Sequence, residues 1–182
     1  MDVELNPIEP LTSTPRELEK GVLVDSGAAA TVANGAKECP EFALEESPGS
    51  KVGQHFVGPG KDRLPNRGQR KARLRLCTPT GPVAGLQFQD AEVRRPILSV
   101  GESIAAGNLI AFDQEESVIL PKGCPEIEEI RAIIRRAKHK MPMEKDKNTF
   151  RLRAWVEAPE PEMKKNQKTQ APPAPFRRQG RM

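Results

Sequence analysis

Short apolar runs separated by turn residues set the rhythm of this chain. They fall at Gly21 to Val24, Val52 to Val57, Ala72 to Cys77, Val83 to Gln89, Asn108 to Phe112 and Ser117 to Leu120. Runs of this length, each bounded by Gly, Pro, Asn, Asp or Ser, predict short strands and a mainly β core. Ala72-Arg-Leu-Arg-Leu-Cys77 alternates with period two, which places Leu74 and Leu76 on one face and Arg73 and Arg75 on the other. Between Ser99 and Gly107 the pattern changes to one or two helical turns, closed by Gly107 just past the helix end.

Past Pro121 the period lengthens. Pro125 precedes Glu126, Glu128 and Glu129, and the segment ends in Arg135, Arg136 and Lys138, an order that complements the helix dipole. Ile127, Ile130, Ile134 and Ala137 recur at spacings of three and four, so a helix is predicted from Pro125 to Lys138, with an isoleucine stripe to pack on the β core or on a second protomer. Residues 1–20 hold three prolines and no sustained period and read as a flexible leader. Residues 21–121 read as the folded domain and 122–140 as a linker with the amphipathic helix. Residues 141–182, rich in Pro, Lys and Gln, read as a disordered basic tail in which Phe150 to Val156 could form a brief strand.

Composition narrows the classes. The 182 residues include 18 Pro and 14 Gly against 36% hydrophobic residues, so turns are dense and the core is small. With one Trp, six Phe and no Tyr there is little material for a stacking platform, which argues against single-stranded nucleic-acid readers of the OB or RRM kind. The net charge of +4 is uneven: residues 1–121 carry 13 Lys or Arg against 17 Asp or Glu, and residues 122–182 carry 16 against 8. Lys164, Lys165, Lys168, Arg177, Arg178 and Arg181 could hold nucleic acid through phosphate charge alone, or serve as a solubilising spacer. A second basic cluster, Arg67, Arg70, Lys71, Arg73 and Arg75, precedes it in the domain. Cys39, Cys77 and Cys124 are widely spaced and His55 and His139 lie far apart, so neither a disulfide framework nor a zinc site is expected, and no metal or cofactor is called for. No apolar run is long enough for a membrane span or a secretory signal, and an intracellular location is the expectation.

The most specific local signal is Val22-Leu-Val-Asp-Ser-Gly-Ala28, an apolar strand running into an acid, a hydroxyl residue, a glycine and a small residue. Asp25-Ser26-Gly27 also suits a plain turn. Read chemically, two carboxyl groups about 3 Å apart cannot both ionise, so such a pair shares a proton and can activate a water between them. Ser26 would hydrogen-bond across the pair, and Gly27 would let two backbones approach. None of Asp2, Asp62, Asp90, Asp113 and Asp146 is followed by Ser or Thr and then Gly. One chain therefore supplies half a site, and catalysis would require a homodimer with Asp25 from each protomer.

Three stretches in order resemble a retropepsin-like aspartic protease, and most nearly the protease segment of copia-type retrotransposon polyproteins. Val24-Asp-Ser-Gly-Ala28 resembles the catalytic loop. Val57-Gly-Pro-Gly-Lys-Asp-Arg-Leu-Pro-Asn-Arg-Gly-Gln69 is similar to the glycine-bounded flap hairpin, with Gly58, Gly60, Leu64 and Gly68 as its marker residues and the lid itself at Gly60 to Gly68. Arg95-Pro-Ile-Leu-Ser-Val-Gly-Glu-Ser-Ile104, with Gly107 and Phe112, resembles the segment near the C-terminal end of copia-type proteases. The likeness spans about Gly21 to Leu120, the length of one such protomer. It implies a small closed acid-protease barrel with one short helix and a catalytic Asp25 supported by Ser26, Gly27 and Ala28. It also implies a polypeptide substrate, for which the chain's own polyprotein is one candidate. Two departures stand out: Leu98-Ser99-Val100 where retroviral members carry a Leu-Gly-Arg type turn, and Pro59, which has no N–H to offer, in the flap. A second reading is a catalytically silent domain kept for dimerisation, or for nucleic-acid binding through its basic tail.

Overall fold

The structure is a computed structural model and describes residues 15–58 and 60–155, together with the backbone of Leu5–Asn6. Its strands, in chain order, are β1 (Leu5–Asn6), β2 (Leu23–Asp25), β3 (Val32–Ala33), β4 (His55–Val57), β5 (Arg63–Pro65), β6 (Gly68–Arg75), β7 (Val83–Asp90), β8 (Ile97–Ser99), β9 (Leu109–Ala111), β10 (Val118–Leu120), β11 (Glu144–Asp146) and β12 (Thr149–Arg151). Four helices accompany them: α1 (Gly35–Glu38), α2 (Pro48–Lys51), α3 (Val100–Ala105) and α4 (Glu126–Arg136). The chain is mainly β, as its pattern predicts.

β7 organises the main sheet. Along one of its edges it pairs antiparallel with the whole of β6; along the other it takes β1 at its start and β3 at its end. β3 then pairs with β8, and β8 pairs in parallel with β2, giving six strands. Period two sorts the side chains of the central pair. Ala84, Leu86, Phe88 and Asp90 of β7 are buried, opposite Leu74, Ala72, Arg70 and Gly68 of β6. Ala33, Cys39, Ala72, Leu86, Phe88 and Leu98 form the core, with Val22, Val24, Phe42 and Leu74 packed against it. Arg73 falls on the opposite, exposed side, as expected.

The expected closed barrel does not form among the described residues. Closure needs the end strands of a sheet to pair with each other, but β2 ends the sheet with only three residues, while the long β6 bonds to β7 alone in this sheet. The remaining strands pair off as three hairpins, β4–β5, β9–β10 and β11–β12. The expectation of one short helix within residues 21–121 is also corrected, because α1 and α2 join α3 there. α2 is held at its start by a reciprocal pair: Ser47 Oγ accepts from the Ser50 N–H, and Ser50 Oγ accepts from the Ser47 N–H, with Pro48 at the first helical position.

Two short paired stretches lie outside residues 21–121. The leader contributes β1, paired with Val83 and Ala84, and the segment read as disordered from residue 141 contains the β11–β12 hairpin. The strand suggested at Phe150 to Val156 ends at Arg151. Residues 156–182, with the basic tail, lie outside the described residues.

Helix α3 runs as predicted, capped by Ser99 and followed by Gly107 at φ +100°. Helix α4 carries the predicted charge order, but only Ile127 of its stripe is buried, while Ile133 and Ile134 are each 54% exposed. Among the described residues no helix is long and apolar enough to cross a membrane.

Candidate active site

Asp25 is the last residue of β2, and its partner in the parallel register is Ser99, the last residue of β8. A strand followed at once by a turn leaves this carboxyl group half-buried at the edge of the sheet, with Ser26 and Gly27 exposed in the turn. The Gly27 N–H donates to Asp25 Oδ1 at 2.7 Å, an Asx turn that fixes one carboxylate oxygen. A Cβ at position 27 would come within 3.3 Å of that same oxygen, so glycine leaves the carboxylate its room.

Behind the turn, the loop is tied to the β8–α3 junction. Ser99 Oγ donates to the Ala28 carbonyl at 2.7 Å and accepts from the Glu102 N–H at 3.3 Å. The Ser99 N–H donates to Thr31 Oγ1 at 3.1 Å, and the Thr31 N–H donates to Glu102 Oε2 at 2.8 Å. Thr31 and Ser99 are fully buried. Ser99 is thus a strand end, a helix cap and a loop anchor at once. A chain carrying Gly-Arg at positions 99 and 100 would lack that hydroxyl.

Ser99-x-x-Glu102 has the spacing of a capping box. In that arrangement the Glu side chain would turn back to the Ser99 N–H. Here Thr31 Oγ1 takes that N–H, and Glu102 reaches the Thr31 N–H instead. Sequence reasoning therefore missed Thr31, Ser99 and Glu102 as loop supports, although the S-x-x-E spacing was their signal.

The expected flap is a hairpin, with shifted limits. β4 and β5 pair with Phe56 opposite Leu64, and the tip is closed by the Gly58 N–H to Asp62 carbonyl bond at 3.1 Å and the Lys61 N–H to Gly58 carbonyl bond at 2.9 Å. Gly58, Gly60 and Leu64 belong to it. Gly68 does not: it opens β6 opposite Asp90 at φ +139°, where a Cβ would come within 2.4 Å of the Glu45 carbonyl oxygen. Pro59 lies outside the described residues.

A second acid, Asp90, is buried next to this region and serves another purpose. Arg67 Nε donates to its Oδ1 at 2.9 Å and Arg70 Nε donates to its Oδ2 at 2.8 Å. Arg70 also donates to the Phe42 carbonyl, and Arg67 to Asn34 Oδ1. This cluster ties α1, β6 and the end of β7 together. A Cβ at Gly35 would come within 2.5 Å of both Arg70 Nε and Asp90 Oδ2, so the helix start closes over the ion pairs only as glycine.

An open cleft of about 280 Å³ is lined by Gln87, Gln89, Glu102, Ala105, Ala106 and Asn148. It excludes Asp25 and the hairpin and holds no nucleophile or general base beyond Glu102, whose carboxylate is engaged with Thr31. Asp25 and the β4–β5 hairpin therefore lie apart from this cleft. His55 is exposed on β4, His139 is exposed beyond α4, and no three of His, Cys, Asp and Glu among the described residues come together as a metal site.

In comparisons with protein-family models, with curated proteins and with solved structures, the chain matches none of them.

Proposed function

We propose that this chain is one protomer of an aspartic endopeptidase of the retropepsin kind, with water activated between two copies of Asp25. The observation that supports this reading is the placement of Asp25 at the end of β2, the end strand of the main sheet, in a turn whose Gly27 N–H holds one carboxylate oxygen. An edge position is what a shared site needs, since a second copy related by a two-fold axis can bring its own Asp25 alongside. One carboxyl group, protonated, would polarise the scissile carbonyl; the other, ionised, would take a proton from the attacking water. The β4–β5 hairpin, glycine-rich at its tip, supplies a lid for an extended polypeptide substrate. Ser26 would steady the pair, and Ala28, anchored by Ser99, would keep the loop from sliding.

The test is cleavage of a mixed peptide library at about pH 4 to 6, where a carboxyl pair sharing one proton operates. The native chain and Asp25→Asn are compared. Cleavage by the native chain that Asp25→Asn abolishes supports the enzyme. A folded native protein that cleaves nothing, yet binds nucleic acid in a salt-dependent way, shifts the function to the silent binding module.

A further inference from the structure

The chain beyond Leu120 returns to the Asp25 loop. In the β11–β12 hairpin Asp146 is opposite Thr149, which leaves Lys147 and Asn148 as a two-residue turn, with Lys147 at φ +55°. Glu144 faces Arg151 across the strands and pairs with it at 2.9 Å, and Thr149 Oγ1 donates to the Asp146 carbonyl at 2.9 Å, so the turn is fixed from both sides. From this turn Asn148 Nδ2 donates to the Ala29 carbonyl at 2.8 Å, a bond that spans 119 residues.

A second contact lies beside the first. The Asn148 backbone rests on Gly101 in the first turn of α3, and a Cβ at Gly101 would come within 2.0 Å of the Asn148 carbonyl oxygen. No real Cβ approaches backbone so closely, so the hairpin can dock here only because position 101 is glycine. Gly101 itself lies between Ser99 and Glu102. Three neighbouring backbone groups of the loop are thereby held from three directions: the Ala28 carbonyl by Ser99, the Ala29 carbonyl by Asn148 and the Thr31 N–H by Glu102.

We propose that Asn148 is a positioning residue for the Asp25 loop, and that the β11–β12 hairpin is a clip that presses residues 28–31 against α3. This rests on the reading of Asp25 as half of a catalytic pair. A side-chain amide suits the task because it offers a donor to a carbonyl that the loop's own hydrogen bonds leave unfilled, and because Asn is at home in a tight turn. The consequence is that residues well past the protease-like region determine how firmly Asp25 is presented.

The test uses the full-length chain and three variants: Asn148→Ala, Asn148→Asp, which keeps the shape but loses the donor, and Gly101→Ala, which displaces the hairpin while favouring the helix. Two quantities are read, namely kcat and KM on a cleaved peptide, and hydrogen exchange of the Gly27 and Thr31 amides. The proposal expects all three variants to lower kcat by about tenfold or more, as small misplacements of reacting groups do, with KM within about twofold. Exchange at Thr31 should accelerate while that of the β7 amides does not change. Unaltered exchange at Thr31 in both Asn148→Ala and Gly101→Ala overturns the clip, as does a uniform acceleration across the protein. If the native chain cleaves nothing, the protease reading falls on its own and Thr31 exchange still decides whether the hairpin holds the loop.

Discussion

Replacing Asp90 by Asn isolates the charge of the buried cluster while keeping its shape. Asp90 is 2% exposed, and its side chain meets Arg70 at 2.8 Å and a terminal nitrogen of Arg67 at 2.6 Å. A hydrogen bond to a charged group contributes about 1.5–3 kcal/mol. The bond to Arg70, whose side chain is 11% exposed, counts in full. Arg67 is 41% exposed, so solvent screening reduces its share to about half. Asn retains one acceptor oxygen but turns an amide donor towards a guanidinium. The expected cost is about 3 kcal/mol, at the lower end of what breaking a buried pair costs. With total stability on the order of 5–15 kcal/mol, and m of about 1–3 kcal/mol/M, urea unfolding should show a midpoint lowered by about 1–3 M at unchanged m. The double variant Arg70→Leu, Asp90→Leu should recover part of that loss, because it strands no buried charge and Arg67 can turn to water. A shift below about 1 kcal/mol for Asp90→Asn, or a double variant as unstable as the two single losses added together, would refute this account of the cluster.

Two further outcomes follow from buried groups. Asn108 is 1% exposed; its Nδ2 donates to the Ser103 carbonyl and hydroxyl at 3.0 and 3.1 Å, and its Oδ1 accepts from the Lys122 N–H at 2.9 Å, so it joins the end of α3 to the approach to α4. Asn108→Ala should lower stability by about 2–3 kcal/mol in the same urea assay, and hydrogen exchange should loosen at Lys122 before β7. Burial pushes the Cys39 thiol above the usual range, with Glu41 adding to the effect, whereas Cys77 is exposed. A thiol reagent at neutral pH should therefore label Cys77 promptly and Cys39 only on unfolding, as mass spectrometry of the digested protein would show. The raised folded value also fixes a sign. The contribution of Cys39 to stability is fully present below the ordinary thiol range and fades as pH rises through the folded value.

Much of the fold was legible where elements were long enough to repeat. β7 alternates from Ala84 to Asp90, whereas the alternation at Ala72 to Cys77 coincides with β6 only over Ala72 to Arg75: the strand starts earlier, at Gly68, and stops short of Cys77, which takes φ +67°. Helix α4 announced itself by acids at its start and bases at its end. The elements that escaped are short or lack an apolar face: α1 and α2 span four residues each, β3 two, and β11 is exposed at every position. Prolines in the leader and Pro, Lys and Gln after residue 141 gave no hint of the pairing of Leu5–Asn6 with Val83 and Ala84, or of the hairpin within residues 144–151, because pairing depends on register, which composition does not carry.

The site divides in the same way. Asp25, Gly27 and the glycine-rich hairpin are local motifs, so they could be read from the chain. Gly68 could not be assigned from spacing, because its role comes from the close approach of the Glu45 backbone. Thr31, Glu102 and Asn148 reach the Asp25 loop across long separations, and only tertiary contact reveals them. The closed barrel was inferred from likeness to a family, and the three-residue β2 leaves the sheet open at the edge where the proposed partner would join.

The most direct test of the central claim is a mixing experiment. Asp25→Asn protein is titrated into a fixed amount of the native chain, with time allowed for protomers to exchange, and peptide cleavage is measured. If the site is built from Asp25 of both protomers and mixed dimers are inactive, random pairing makes activity fall in proportion to the native fraction, to about half at an equal mixture and about a tenth at a ninefold excess. Cleavage that stays constant as the variant is added, or that the variant carries out by itself, would contradict a site shared between two copies of Asp25.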